Sequence, residues 1–312
     1  MIAWIFPGQG AQVVGMGKEM AREFPRAREV FERADAALAL DLARICWDGP
    51  DETLKQTEIT QPALLTTSVA CLTVLRDAGH RPAIAAGLSL GEYTALVCAG
   101  ALDFDDAVRT VRSRGRFMQE AAAGKTTAMA AILGLDADAV RRVCAEASAA
   151  GVVEPSNFNS PGQVVIAGEE AAVVRGIALA KAAGARRAVM LPVSAPFHTS
   201  LMAPAAERLA ETLASVPITT PSLPVVSNVT AEAVTSADDI RRLLVAQVAS
   251  PVRWDDSVRT MAQAGADVFV EIGPGASLSG MVRRTVEGAR TLSVEDPASL
   301  QVTLGALSAG DG

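Results

Sequence analysis

The sequence is poor in the residues that build several common kinds of site. Its 312 residues include four cysteines and two histidines. Cys46, Cys71, Cys98 and Cys144 form no C-x-x-C pair, and with so few histidines beside them no metal site is expected. They read instead as small buried apolar side chains. Aromatic residues make up only 4% of a chain that is 50% hydrophobic. Such a composition suits helices packed on a parallel sheet better than an all-β sandwich. Positive charge is in deficit: 28 Lys and Arg against 35 Asp and Glu leave a net charge of -7. A broad basic face for nucleic acid or for an anionic membrane is therefore not expected. Met1 to Phe6 lacks the basic segment of a secretion signal. The longest mostly apolar run, Ala63 to Leu75, is interrupted by Thr66, Thr67 and Ser68 and ends at Arg76, which is short for a bilayer span. The expectation is a cytoplasmic protein without metal, nucleic-acid or membrane partners.

What is present is an alternation of short apolar strands and longer helices. Trp4-Ile5-Phe6 reads as a buried strand stopped by Pro7-Gly8, and Pro82 to Gly87 as a second. Helical spacing of apolar positions covers 17–38, 61–79, 91–101 and 104–122. Near Gly124-Lys125 the pattern changes. Met129 to Leu133 is strand-like and 136–150 helix-like. Val152 to Phe158 and Gln163 to Ala167 are strands joined by the turn-rich Asn159-Ser160-Pro161-Gly162. Glu169 to Ala183 is helical, and Arg187 to Pro192 is a last strand. This βαββαβ order is the ferredoxin-like plan. Helices at 200–215 and 237–249 follow, then a strand at Val268 to Ile272 ended by Gly273-Pro274-Gly275, which opens another helix. The fold expected is α/β: a parallel-sheet core formed by 1–124 and 194–312, with an inserted ferredoxin-like subdomain at 125–193. The tail from Ser308 to Gly312 is expected to be loose.

Four features could carry chemistry. Gly87-Leu88-Ser89-Leu90-Gly91 fits G-x-S-x-G between an apolar strand and a helix, the setting of a nucleophile elbow. Glycines there permit a tight turn, and the helix N-terminus puts a positive dipole where an oxyanion would form. A plain structural turn has the same spelling. A serine needs a base. His80 lies in a polar connection, whereas His198 lies in Ser194-Ala195-Pro196-Phe197-His198-Thr199-Ser200, just after the insert returns the chain to the main domain. Phe6-Pro7-Gly8-Gln9-Gly10 ends a strand where wound sheets bind ligands, or is a simple turn. Arg114 belongs to a helical cluster with Arg109, Arg112 and Arg116. Such arginines are usually solvated, but one beside Gly115 can enter a pocket and grip a carboxylate.

Together and in this order, these features resemble the malonyl-CoA:acyl-carrier-protein transacylases of bacterial fatty-acid synthesis and the related acyltransferases of polyketide synthases. The match also takes in Gln61-Pro62-Ala63, Ser89-Leu90-Gly91-Glu92-Tyr93, Arg114-Gly115-Arg116-Phe117-Met118-Gln119 and Asn157-Phe158-Asn159-Ser160-Pro161-Gly162-Gln163. It continues through Pro196-Phe197-His198 and Ser250-Pro251-Val252-Arg253-Trp254 to Glu271-Ile272-Gly273-Pro274-Gly275. The resemblance implies a hydrolase-like α/β domain with a ferredoxin-like insert. It implies Ser89 as nucleophile, His198 as base, the N–H groups of Gln9 and Leu90 as oxyanion hole, and Arg114 as holder of the malonyl carboxylate. Gln247 matches the glutamine that helps orient the histidine and is grouped with the substrate-binding residues. No bound cofactor is implied: malonyl-CoA is a substrate, and phosphopantetheine is carried by the acyl-carrier protein. The family expectation is a monomer.

One departure stands out. The family usually has histidine immediately before the nucleophile, and here that position is Leu88, in the substrate pocket. Phe197 resembles the malonyl-type segment, where a ring would crowd a 2-methyl branch. Carrier docking on an acidic chain would need a local basic patch, for which Arg112, Arg116, Lys181, Arg186 and Arg187 are candidates. The alternatives are a proofreading thioester hydrolase with the same serine and histidine, a trans-acting polyketide acyltransferase with another extender unit, and a non-enzymatic scaffold.

Overall fold

A computed structural model describes residues 1–193 and 195–308. Ser194, where the main domain is expected to resume, and the tail beyond Ser308 lie outside the described residues. The first part of the chain runs β1 (Ile2–Phe6), α1 (Lys18–Glu23), α2 (Pro25–Leu38), α3 (Leu42–Asp48), α4 (Asp51–Leu54), α5 (Thr57–Asp77), β2 (Ile84–Gly87), α6 (Gly91–Cys98) and α7 (Phe104–Ala122). The middle part runs β3 (Thr127–Leu133), α8 (Ala137–Ala147), β4 (Val153–Ser160), β5 (Gln163–Glu169), α9 (Glu170–Ala182) and β6 (Arg187–Met190). The last part runs α10 (Ala203–Ala214), β7 (Val225–Val226), β8 (Ala233–Val234), α11 (Ala237–Val248), α12 (Trp254–Gln263), β9 (Val268–Ile272), α13 (Ser277–Thr285), β10 (Arg290–Val294) and α14 (Pro297–Ser308).

Two sheets result. The larger has the order β10-β9-β1-β2-β7-β8, and every pair is parallel except β7 with β8. β1 leads to β2 on one side and receives β9 on the other, so the strand order reverses at β1. In wound sheets that switch point opens a crevice at the carboxyl ends of the strands. Helices cover both faces. Trp4 and Phe6 point into a core with helix residues such as Phe31, Leu64 and Val108, while Ala3 and Ile5 pack with Trp254, Val258 and Val282. Burial on both faces is what makes β1 apolar throughout.

The smaller sheet is antiparallel, in the order β4-β5-β3-β6, with α8 and α9 on one face. Ala130, Ile132, Val164 and Ile166 form a separate core with Val140 and Val173. It is the βαββαβ arrangement expected from the sequence. The four-residue turn is shorter than expected: β4 continues to Ser160, which pairs with Gln163. Pro161 and Gly162 alone turn the chain, with Gly162 at φ 70°.

Other boundaries also move. The helix expected over 17–38 breaks into α1 and α2 because Phe24, which precedes Pro25, is extended at φ -114° and ψ 112°. The helix expected from residue 61 starts at Thr57 and runs for 21 residues. By length and composition it is therefore long and apolar enough to cross a membrane, unlike the run Ala63 to Leu75 alone. In the fold, 89% of its most apolar window is buried inside the protein.

Candidate active site

The register of β1 and β2 assembles the first half of the site. Phe6 pairs with Gly87, so the loops after both strands leave the same edge of the sheet side by side. Their glycines serve close approach. A Cβ on Gly8 would lie 2.4 Å from the Leu88 carbonyl oxygen, and one on Gly91 would lie 2.1 Å from the Phe6 carbonyl oxygen. Between them the chain turns sharply from β2 into α6 and holds Ser89 at φ 52°, a conformation an L-residue adopts only at some cost. Asn228, which follows β7, pins this turn. Its Oδ1 accepts from the Ser89 N–H at 2.6 Å, and its Nδ2 donates to the Gly87 carbonyl at 2.8 Å.

His198 arrives from the segment between β6 and α10. It is also left-handed, at φ 61°, and 3% exposed. Its Nδ1 lies 2.8 Å from the backbone carbonyl oxygen of Gln247. A carbonyl only accepts, so the proton sits on Nδ1 and Nε2 is left free to accept. Nε2 is 2.7 Å from Ser89 Oγ. Burial, followed by the charge of Arg114, pushes the His198 pKa down to about 3. The ring is thus neutral at neutral pH, with the Nε2 lone pair turned to the Ser89 hydroxyl.

Arg114 separates from the other arginines of its helix. Arg109 is exposed and pairs with Asp106, Arg112 donates to the Leu38 carbonyl, and Arg116 is exposed beside Glu120. Arg114 falls on the buried stripe of α7 with Val111, Gly115 and Met118, and is 1% exposed. Gly115 allows that placement, since a Cβ there would lie 2.5 Å from the Thr57 carbonyl oxygen of α5. The guanidinium donates to Gln61 Oε1 at 2.8 Å, to Gln247 Oε1 at 2.9 Å and to Ser89 Oγ at 3.2 Å. Both of its amide partners are neutral.

These residues face a cavity of about 650 Å³, the size of an ordinary small-molecule site. Gln9, Leu88, Ser89, Leu90, Arg114, Phe197 and His198 line it, and Met129, Asn157, Asn159 and Val165 from the smaller sheet form the opposite wall. Among the described residues, neither the Gln9 N–H nor the Leu90 N–H donates a hydrogen bond within the protein. Leu90 is the residue before α6, so its N–H and the helix dipole act in the same place.

Gln247 contacts His198 but departs from the expectation of a substrate-binding residue. It is fully buried and does not line the cavity. Its backbone carbonyl, not its side chain, meets His198, while its amide bridges Arg114 to Glu92, with Nε2 donating to Glu92 Oε2 at 2.7 Å and to the Ser89 carbonyl at 3.0 Å. The reason is direction: α11 ends just beyond Gln247, which leaves its carbonyl free of a helical partner. Gln61, Glu92 and Asn228 were given no role from the sequence. Gln61 and Glu92 lie inside the quoted motifs, which was the available signal. Asn228 carries no local pattern, and only the sheet brings it to Ser89.

A serine hydrogen-bonded to a neutral histidine, two free N–H groups and a buried cation thus share one cavity, an arrangement that suits acyl-group chemistry. Comparison with known proteins agrees. The acyl transferase domain family matches residues 3–306. The malonyl CoA-acyl carrier protein transacylase of Escherichia coli K12 is 50% identical over 303 residues, covering 97% of this chain and 98% of that protein. The crystal structure of an acyl carrier protein S-malonyltransferase from Vibrio cholerae has a TM-score of 0.94 at 46% identity, covering 97% of this chain and 99% of that one. A malonyl-transacylase solved in complex with its type II polyketide synthase acyl-carrier protein has a TM-score of 0.95 at 46% identity, covering 98% and 99%. The chain belongs to the acyl transferase domain family.

Proposed function

We propose that this chain transfers a malonyl group from malonyl-CoA to the phosphopantetheine thiol of an acyl-carrier protein through an ester on Ser89. The observation that carries the proposal is the 2.7 Å contact of Ser89 Oγ with His198 Nε2 and the 3.2 Å contact of Arg114 with the same oxygen. His198 takes the hydroxyl proton as Oγ attacks the thioester carbonyl. The oxyanion rests on the N–H groups of Gln9 and Leu90. The carbon–sulfur bond breaks, and the coenzyme A thiolate takes the proton back from His198. The carrier thiol then enters the same cavity and the steps run in reverse, so kinetics are ping-pong. Arg114 selects the acyl group: a neutral acyl chain would leave the desolvated guanidinium without its anion.

Residues 125–193 form an inserted unit in this reading. The protein works as a monomer in the cytoplasm and docks an acidic carrier through exposed basic residues. Lys181, Arg186 and Arg187 are exposed and fit that task. Arg112, turned onto the Leu38 carbonyl, fits it less well.

The test is intact-mass spectrometry after mixing with malonyl-CoA, with and without carrier protein. A malonyl mass that moves to the carrier, and is absent from Ser89→Ala, is expected. An adduct that decays to free malonate at the same rate with or without carrier would replace the transferase by a hydrolase. No adduct at all would leave a scaffold.

A further inference from the structure

One buried carboxylate stands directly behind the reacting groups and takes no part in the proton transfers. Glu92, in the first turn of α6, is 2% exposed. Its Oε2 accepts from two donors, Gln247 Nε2 at 2.7 Å and the Asn228 N–H at 3.0 Å. Each donor leads on to a reacting residue. Gln247 offers Oε1 to Arg114 and its backbone carbonyl to His198. Asn228 offers Oδ1 to the Ser89 N–H and Nδ2 to the Gly87 carbonyl, and so grips the turn that holds the nucleophile.

A glutamine amide is nearly symmetric in shape but opposite in polarity at its two ends. Turned round, Gln247 would set its NH2 against the Arg114 guanidinium. Its oxygen would then face the Glu92 carboxylate and the Ser89 carbonyl. Glu92 accepts where it stands, and so favours the orientation that offers oxygen to Arg114. Arg114 is thereby held by neutral acceptors, and its charge is not consumed by a direct bridge to a carboxylate.

We propose that Glu92 is a positioning residue of this site. Its hydrogen bonds direct the Arg114 guanidinium through Gln247 and fix the Ser89 turn through Asn228. The proposal rests on Arg114 being the clamp for the substrate carboxylate.

The experiment compares kcat/KM for malonyl-CoA and for acetyl-CoA in Glu92→Gln, Glu92→Met and Arg114→Ala. Rates are expressed per active serine, counted with a fluorophosphonate label. Glu92→Gln keeps an oxygen that accepts both N–H groups and is expected to hold the malonyl-to-acetyl ratio within about threefold of the parent. Glu92→Met fills the space but accepts nothing; the ratio is expected to fall about tenfold or more, with a raised KM for malonyl-CoA. A merely structural role would lower the number of active serines and leave the ratio per serine unchanged, which overturns the proposal. Equal losses in the Gln and Met variants overturn it too. Should Glu92→Met fail to fold, Gln247→Met deletes the same relay with Glu92 intact. An unchanged ratio in that variant is equally decisive against the proposal. Arg114→Ala separates the two levels. If it keeps the malonyl preference, the clamp itself is wrong; if it loses the preference while Glu92→Met retains it, only the role of Glu92 falls.

Discussion

The two sheets meet the cavity in different ways. In the larger one, strands buried on both faces run toward the cavity, and the loops beyond them bring Gln9 after β1 and Ser89 after β2 to its lining, with Asn228 after β7 pinning the Ser89 turn from behind. In the smaller one, the strands lie along the cavity as a wall. β5 alternates, sending Val164 and Ile166 into the core of the smaller sheet while Val165 and Ala167 pack toward Leu191, Val193 and Phe197. A strand end places one atom with little freedom to adjust, whereas a strand face presents a surface that tolerates change in size. Chemistry should therefore be fragile in the first region, and acyl preference tunable in the second.

The comparison is tested most severely at Ser89. Ser89→Ala should reduce transfer by roughly 10⁴-fold or more and abolish the malonyl adduct in the mass spectrum. Arg114→Ala should lower malonyl-CoA kcat/KM by ~10²–10³-fold, as expected for removing one partner from a buried charged contact. Acetyl-CoA should be affected far less, as paired steady-state assays will show. If both substrates fell equally, Arg114 would be supporting the fold and not the carboxylate.

The pH profile gives the next largest contrast. With the His198 pKa held down to about 3 by burial and then by Arg114, stopped-flow acylation should show no histidine limb between pH 7 and pH 5. A solvated histidine would lose about 25-fold over that range. The same depression affects stability. Below the ordinary histidine value, the unfolded chain binds a proton at residue 198 that the folded chain refuses. This site therefore destabilises the fold progressively as pH drops from about 6.5 toward 3, which denaturant melts at several pH values would register.

Effects where the segment before α10 packs against that wall should be smaller. Phe197→Ala should admit a 2-methyl branch and raise methylmalonyl-CoA kcat/KM about tenfold, with malonyl transfer nearly preserved; a collapse of malonyl transfer would place Phe197 with the strand-end machinery. Smallest of all, charge reversal at Arg186 and Arg187 should raise KM for carrier protein a few-fold at low salt without changing KM for malonyl-CoA. Equal changes in both would end the docking assignment.

Much of this was legible in the sequence where local chemistry decides structure. The bounds of α7 follow from Asp103, whose carboxylate caps the helix by accepting from the N–H groups of Asp105 and Asp106, and from the apolar stripe below it. β9 is apolar except for the buried Glu271 and is followed by Gly273. By contrast β10, Arg-Thr-Leu-Ser-Val, is an edge strand with mixed polarity and shows no clear period. β7 has two residues, too few for any pattern. The serine, the histidine and the arginine were readable as a set through the joint order of their motifs, since each spelling alone also fits a plain turn or a solvated side chain. The network behind them was not: Glu92, Asn228 and Gln247 meet only through tertiary placement, and whether a backbone carbonyl or a side-chain amide faces His198 depends on where α11 stops.

The switch point at β1 also sets an order of events for a newly made chain. β1 is made before both of its neighbours, and one of them, β9, begins only at Val268. The carbonyl that orients His198 belongs to residue 247, long after Ser89 has emerged. An N-terminal portion carrying both Ser89 and His198 would thus still lack the group that sets the proton on the far nitrogen. Ser89 and His198 alone therefore do not complete the hydrogen-bonded set; it closes only once α11 has been added and folded against them.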